Sequence, residues 1–194
     1  MWLRQFKIGS RLIAAFGLLA LVLLLQGIMS LQTMSSMRST AEEIEDNTLP
    51  TLVSLSSINL NVMRARVFTF RLLLANSAAE LNKGLDTLRQ IRQSIKTDQK
   101  NYEPLISLPG EQELYQEFSG SLDLYLKHQD EMISKLQAND AAEAKRIMDD
   151  VMIVQAEKMT KTLISIGSLN TEYAKEQGQI TAQAYDESKW LNSI

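Results

Sequence analysis

Apolar residues recur with a helical rhythm through nearly the whole chain. Past residue 38 they fall three and four positions apart, no stretch alternates as a strand would, and Gly and Pro sit at junctions. Ahead of that lies a different pattern. Residues 12–31 form a run of twenty in which only Gln26 and Ser30 are polar. At about 1.5 Å rise per residue the run reaches roughly 30 Å, the thickness of a bilayer's hydrocarbon core. It predicts a transmembrane helix over 12–33. A cleaved signal peptide competes, but no Ala-x-Ala follows the run, and the helical spacing continues through Met34 and Met37. A buried core helix is a third reading; it would need more apolar cover than the rest of the chain offers.

Four helices follow from the pattern. The first continues from the membrane to about Asn76, with Leu49, Leu52, Leu55, Val62, Phe70 and Leu73 recurring along it. Pro50 falls inside it, so the helix either bends there or starts afresh with Thr48 as its cap. The second runs over 79–102, with Leu81, Leu85, Leu88, Ile91 and Ile95 on one face. Pro104, Pro109 and Gly110 then mark the clearest turn in the chain. The third covers 111–136, where Tyr115, Phe118, Leu122, Tyr125, Gln129, Met132 and Leu136 keep the alternating spacing of a bundle seam. Asn139-Asp140 supplies a turn and an N-cap. The fourth runs from 141 to at least 190 on a stripe of Met148, Met152, Gln155, Met159, Thr162, Ile166, Leu169 and Tyr173. Short turns between long helices predict an all-α fold: an antiparallel up-down-up-down four-helix bundle, preceded by a transmembrane helix continuous with its first helix.

Charge orients this arrangement. Arg4, Lys7 and Arg11 are the only charges before residue 38 and lie on the N-terminal side of the apolar run. By the positive-inside rule residues 1–11 are cytoplasmic, 12–33 span the membrane, and 34–194 form a bundle on the outer side. Antiparallel alternation brings the last helix back toward the membrane, where Trp190 suits the interface. A second transmembrane helix and a signalling domain are expected beyond 194.

Lys and Arg total 20 against 23 Asp and Glu, and this acidic balance argues against a nucleic-acid partner. The chain has no cysteine, which excludes disulfides and thiolate metal sites. Its one histidine, His128, lies one position off the third helix's inward stripe and reads as a surface residue. No phosphate loop, nucleophile elbow or metal-ligand spacing is present, so neither an enzyme nor a cofactor is expected.

Ile8-Gly9-Ser10-Arg11-Leu12, then Phe16 and a leucine-rich span, resembles the start of bacterial methyl-accepting chemotaxis receptors. Asn47-Thr48-Leu49-Pro50 and a helix carrying Arg64 and Arg71 is similar to that family's four-helix-bundle ligand-binding domain. The turn from Tyr102 to Pro109 resembles the one between the second and third helices of the aspartate and serine receptors. The resemblance implies a sensor whose last helix makes a small piston-like shift, controlling a cytoplasmic kinase and its adaptor. The same domain also precedes histidine kinases and cyclic-dinucleotide enzymes.

Arg64 and Arg71 are seven apart, about 20° from eclipsed, and share a stripe with Leu60, Val67 and Leu74. Guanidiniums within an apolar stripe need anionic partners, either a carboxylate ligand or Asp130, Glu131, Asp149 or Asp150. Arg66 lies about 200° away from Arg64 and faces elsewhere. Counting levels from the distal turns puts Tyr125, Gln129, Met152, Gln155 and Phe68 near the arginines, in a mostly apolar pocket. The expected ligand is a small organic acid, with the surroundings leaning toward a cyclic or aromatic one. Matching Arg71 to the last of the aspartate receptor's three arginines leaves Val67 and Val62 where the others would fall, so aspartate itself is disfavoured. The first helix carries apolar residues on two faces, one for the core and one for a second copy, which predicts a homodimer. A ligand-free module that contacts a periplasmic partner protein stays open as an alternative.

Overall fold

The computed structural model describes residues 8–191. Its elements are α1 (Ile8–Glu43), a π-helical turn (Ile44–Thr48), α2 (Leu49–Leu73), α3 (Ala78–Tyr102), a 3-10 turn (Glu103–Leu105), α4 (Glu111–Gln137), α5 (Ala141–Ile147), a second π-helical turn (Met148–Met152) and α6 (Ile153–Leu191). No strand occurs among the described residues. The chain divides into two compact units: Glu45–Tyr173, and the residues up to Ile44 together with those from Ala174 onward.

The Glu45–Tyr173 unit is a four-helix bundle built from α2, α3, α4 and the α5–α6 tandem. Tyr102, Ile58, Phe118, Met132, Met152, Met159 and Ile166 are fully buried in its core. On α2 the buried stripe is Thr51, Leu55, Ile58, Val62, Ala65, Thr69 and Leu72, a strict 4-3 alternation. Leu55 and Val62 thus serve the core, while Leu60, Val67 and Leu74 remain exposed on another face.

The ends of the helices follow from local chemistry. Ser77 accepts from the Glu80 N–H at 3.2 Å while the Glu80 carboxylate accepts from the Asn76 N–H at 2.9 Å, closing the start of α3. Asp140 accepts from the Glu143 N–H at 3.1 Å, the N-cap expected there. Asn139 takes φ 60°, and the Asp140 N–H returns to the Lys135 carbonyl at 2.9 Å, closing α4. Gly110 enters α4 at φ 81°, a conformation that favours glycine. A Cβ on Gly84 would stand 2.5 Å from Leu72 Cδ2, so α2 and α3 approach closely there.

Pro50 neither ends the helix nor starts one. Thr48 is itself helical, at φ −62° and ψ −45°, and makes no cap hydrogen bond. The helix runs continuously from Ile8 to Leu73. A proline ring clashes with the carbonyl four residues back, here Asp46, and the wider turn over Ile44–Thr48 accommodates it.

The second π turn reconciles two stripes. Ala144, Met148, Met152 and Ala156 are all buried, each four residues from the last. Over that interval a regular α-helix would carry the stripe about 120° around; absorbing one extra residue reduces the drift to about 20°.

In the other unit, α1 is long and apolar enough to cross a membrane by length and composition, and its most apolar 18-residue window is 0% buried. Arg4, Lys7 and Ile194 lie outside the described residues, as do the side chains of Arg11 and Trp190.

Candidate functional site

A groove of about 350 Å³ opens between α2 and the start of α6. Met63, Val67 and Phe70 form one wall, Met148, Met152 and Ile153 the other, and Tyr125 of α4 lies beneath. Two cations enter this apolar setting, Arg66 and Arg71. The Arg66 guanidinium donates to Thr160 Oγ1 at 3.2 Å and to Met63 Sδ at 3.5 Å. Arg71 lies over the Phe68 ring, 5.0 Å from its centroid. Among the described residues neither forms an ion pair, whereas Arg38, Arg89, Arg92 and Arg146 all do.

The expected pairing of Arg64 with Arg71 is not the one the structure makes. Arg64 is exposed and donates to Asn61 Oδ1 at 2.9 Å, and Asn61 in turn donates to Asp98 of α3 at 2.7 Å. Arg66 takes its place in the groove. Arg64 lies on the α3 edge of α2, beside Asn61 and Asp98, whereas Arg66 lies on the edge that reaches Thr160 of α6.

Besides Arg71, four expected residues sit at or beneath the groove or beside its cations. Tyr125 and Met152 line it directly. Phe68 supports Arg71 from the α2–α3 side. Gln129 is fully buried below, donating to Thr69 Oγ1 and accepting from Arg92 Nε at 2.6 Å. Arg92 pairs with Asp130 at 2.7 Å on the far side. The Tyr125 hydroxyl donates to Thr69 Oγ1 at 3.4 Å, and Thr69 donates to the Ala65 carbonyl at 2.6 Å. Burial raises the Tyr125 pKa, opposed by the Thr69 hydrogen bond and the charges of Arg66 and Arg92, so the phenol is a neutral donor at ordinary pH. Gln155 does not line the groove, and its buried Oε1 has no hydrogen-bond partner.

His128 is partly buried and contacts Glu131 at 3.0 Å, away from the groove. Asp149 and Asp150 are exposed and bound to Lys145 and Arg146. No cluster of His, Cys, Asp or Glu suited to a metal occurs among the described residues.

Sequence reasoning missed a second polar centre at the opposite end of the bundle. Glu111 is fully buried and accepts from the Tyr102 hydroxyl at 2.7 Å, Asn170 Nδ2 at 2.8 Å, and the N–H groups of Ser107 and Leu108 at 3.0 and 3.1 Å. The one signal for it was a glutamate opening a helix directly after Pro109-Gly110.

An antiparallel helical bundle with a groove whose arginines have no carboxylate partner among the described residues has the build of a helical sensory module. The family model for the four-helix-bundle sensory module for signal transduction matches residues 5–185, and the chain belongs to that family, the sensory modules of methyl-accepting chemotaxis proteins. Comparison with curated proteins finds no match.

Proposed function

We propose that the chain is the sensor of a bacterial chemoreceptor, anchored by α1 in the inner membrane, that binds a small organic carboxylate in the periplasm. The observation that carries this reading is the pair Arg66 and Arg71, without carboxylate partners, at a groove whose other walls are apolar and aromatic. A guanidinium fork suits a carboxylate, and Met63, Phe70, Met148 and Met152 suit a cyclic or aromatic body.

The outward face of α2 supports a homodimer. Val53, Leu60, Met63, Val67, Phe70 and Leu74 are exposed and fall on the a and d positions of one heptad frame. Arg66 and Arg71 then occupy g and e positions. In a parallel pair, g of one helix faces e of the next heptad on the other, so Arg66 meets Arg71 of the partner subunit. Two like charges there repel, and a bound anion between them relieves the repulsion. Ligand and dimer thereby support each other, and the resulting shift of α6 carries the signal to a cytoplasmic kinase. The ligand cannot shift the helix by more than its differential affinity for the two positions.

A thermal-shift screen of organic acids on the purified chain, followed by calorimetry with the acid that scores, tests the assignment. Arg66→Ala and Arg71→Ala should each weaken binding by about 1.5–3 kcal/mol, roughly ten- to a hundredfold. Arg64→Ala should bind as the parent does. If the first two variants bind a confirmed acid unchanged, the groove is not the site.

A further inference from the structure

We infer that Glu111 is a positioning residue that fixes the register of α6 within the bundle through its hydrogen bond to Asn170. The inference deepens the proposed function, since α6 is the helix that reading makes the carrier of the signal.

Three polar side-chain ties run from α6 to α2 and α4. Lys158 and Glu117 of α4 stand 3.4 Å apart, but both are about half exposed, and such surface pairs hold little. Arg66, which lines the groove, donates to Thr160 at 3.2 Å, outside the groove's lining. The third, Asn170 Nδ2 to Glu111 Oε1 at 2.8 Å, joins two residues that are 2% and 0% exposed. Only this tie is shielded from water, and its acceptor is a carboxylate, which makes it the strongest of the three. The core packing of α6 between these ties is apolar, from Ala156, Met159, Leu163 and Ile166. Apolar packing is non-directional and methionine adapts its shape, so these contacts tolerate a small axial slide that a buried hydrogen bond does not.

Glu111 is also the right reference for such a lock. Its second oxygen accepts the N–H groups of Ser107 and Leu108 in the α3–α4 connection, and its first also accepts the Tyr102 hydroxyl at the end of α3. Ser107 Oγ reaches Asn47 Oδ1 at 3.5 Å, at the turn before α2. The carboxylate is therefore fixed to the end of α3 and to the α3–α4 connection, and Asn170 is the side chain through which it holds α6. Asn170 is itself steadied, since its Nδ2 also donates to the Ile166 carbonyl at 3.1 Å. At the other end the π turn Met148–Met152 separates α6 from α5. A carboxylate that draws Arg66 from Thr160 removes one tie of α6 and leaves the Glu111 lock as the restoring one.

The test needs no ligand. The chain has no cysteine, so cysteines introduced at exposed positions 124 on α4 and 172 on α6 are the only sites for spin labels. Pulsed dipolar spectroscopy on the full chain in lipid nanodiscs then reads the slide as a distance. The parent should give one narrow distribution. Asn170→Ala, which keeps a strong helix former on α6, should broaden it or move its mean by about 1.5 Å, one residue's rise. Asn170→Leu, which refills the volume without the amide, should do the same. Thr160→Val, with the lock intact, should leave it unchanged. Loss of thermal stability with the parent's distribution retained in both Asn170 variants would overturn the proposal, because a merely structural contact predicts that result. The acid-binding titrations above are read separately: failure there leaves this result standing, and the reverse holds too.

Discussion

Two tyrosines of the bundle carry the same hydroxyl into different surroundings, and removing each in turn isolates what burial does to a hydrogen bond. Tyr102 and Tyr115 pack ring against ring, with centroids 5.1 Å apart and planes at 52°, and both are buried. Tyr102 donates to Glu111 at 2.7 Å; Tyr115 donates to Glu103 at 2.9 Å. Glu111 is sealed in the core, whereas Glu103 is exposed. Phenylalanine keeps the ring contact at either position and deletes one oxygen. In Tyr102→Phe the buried carboxylate loses a donor that water cannot replace, at a cost of about 1.5–3 kcal/mol. In Tyr115→Phe water rehydrates Glu103, and the cost falls to about 0.5–1.5 kcal/mol. For a unit of this size 1 kcal/mol moves the melting temperature by about 4 °C, so the losses are roughly 6–12 °C and 2–6 °C. Circular dichroism melts of the purified chain, supported by urea titrations, measure both. Equal losses, or a loss under about 0.5 kcal/mol for Tyr102→Phe, would refute the claim that the Glu111 centre is held by desolvated, charge-assisted bonds.

The same tyrosines set a limit at high pH. Burial first, then hydrogen bonding to Glu111 and Glu103, raises the pKa values of Tyr102 and Tyr115 above the ordinary 10.0, and burial raises Tyr125. The unfolded chain then releases protons first, so stability is complete below about pH 10 and falls as pH rises beyond it; Tyr102→Phe should flatten that fall in urea titrations run from pH 8 to 11. Gly84→Ala should destabilise the bundle, because its methyl meets Leu72 at 2.5 Å, and the penalty should vanish or reverse in a Leu72→Ala background, where helix propensity gains about 1 kcal/mol. Met152→Ala, at a fully buried position lining the groove, should cost about 2–5 kcal/mol and enlarge the cavity, readable by urea titration.

The helices were legible because their spacing was: α3 and α4 begin and end within a residue or so of where apolar periodicity and the Pro-Gly turn place them. The stripe from Tyr115 to Met132 is the buried face of α4. The choice between Arg64 and Arg66 was not legible. α2 is apolar on two faces, and its true core stripe includes Thr51 and Thr69, which a hydrophobicity pattern discounts. Only the packing of α3 and α6 shows which face is inside. The fourth helix misled for a related reason. A regular 3-4 count finds the buried Met148, Met152, Met159, Thr162 and Ile166 but also selects Gln155 and Leu169, which are only half-buried, and it passes over Ala156, Leu163 and Asn170, which the frame downstream of the π turn buries. The Glu111 centre joins residues 59 apart in sequence, a pairing that no local pattern announces.

That shifted frame has a consequence for how this helix tolerates changes in length. Most single-residue deletions in a long helix turn everything beyond them by about 100° and expose its buried face. A segment that already carries one surplus residue can lose it and leave both flanking faces where they were. Between Met148 and Met152 the chain therefore holds a place where its length can vary by one residue while Arg66 still meets Thr160 and Glu111 still meets Asn170.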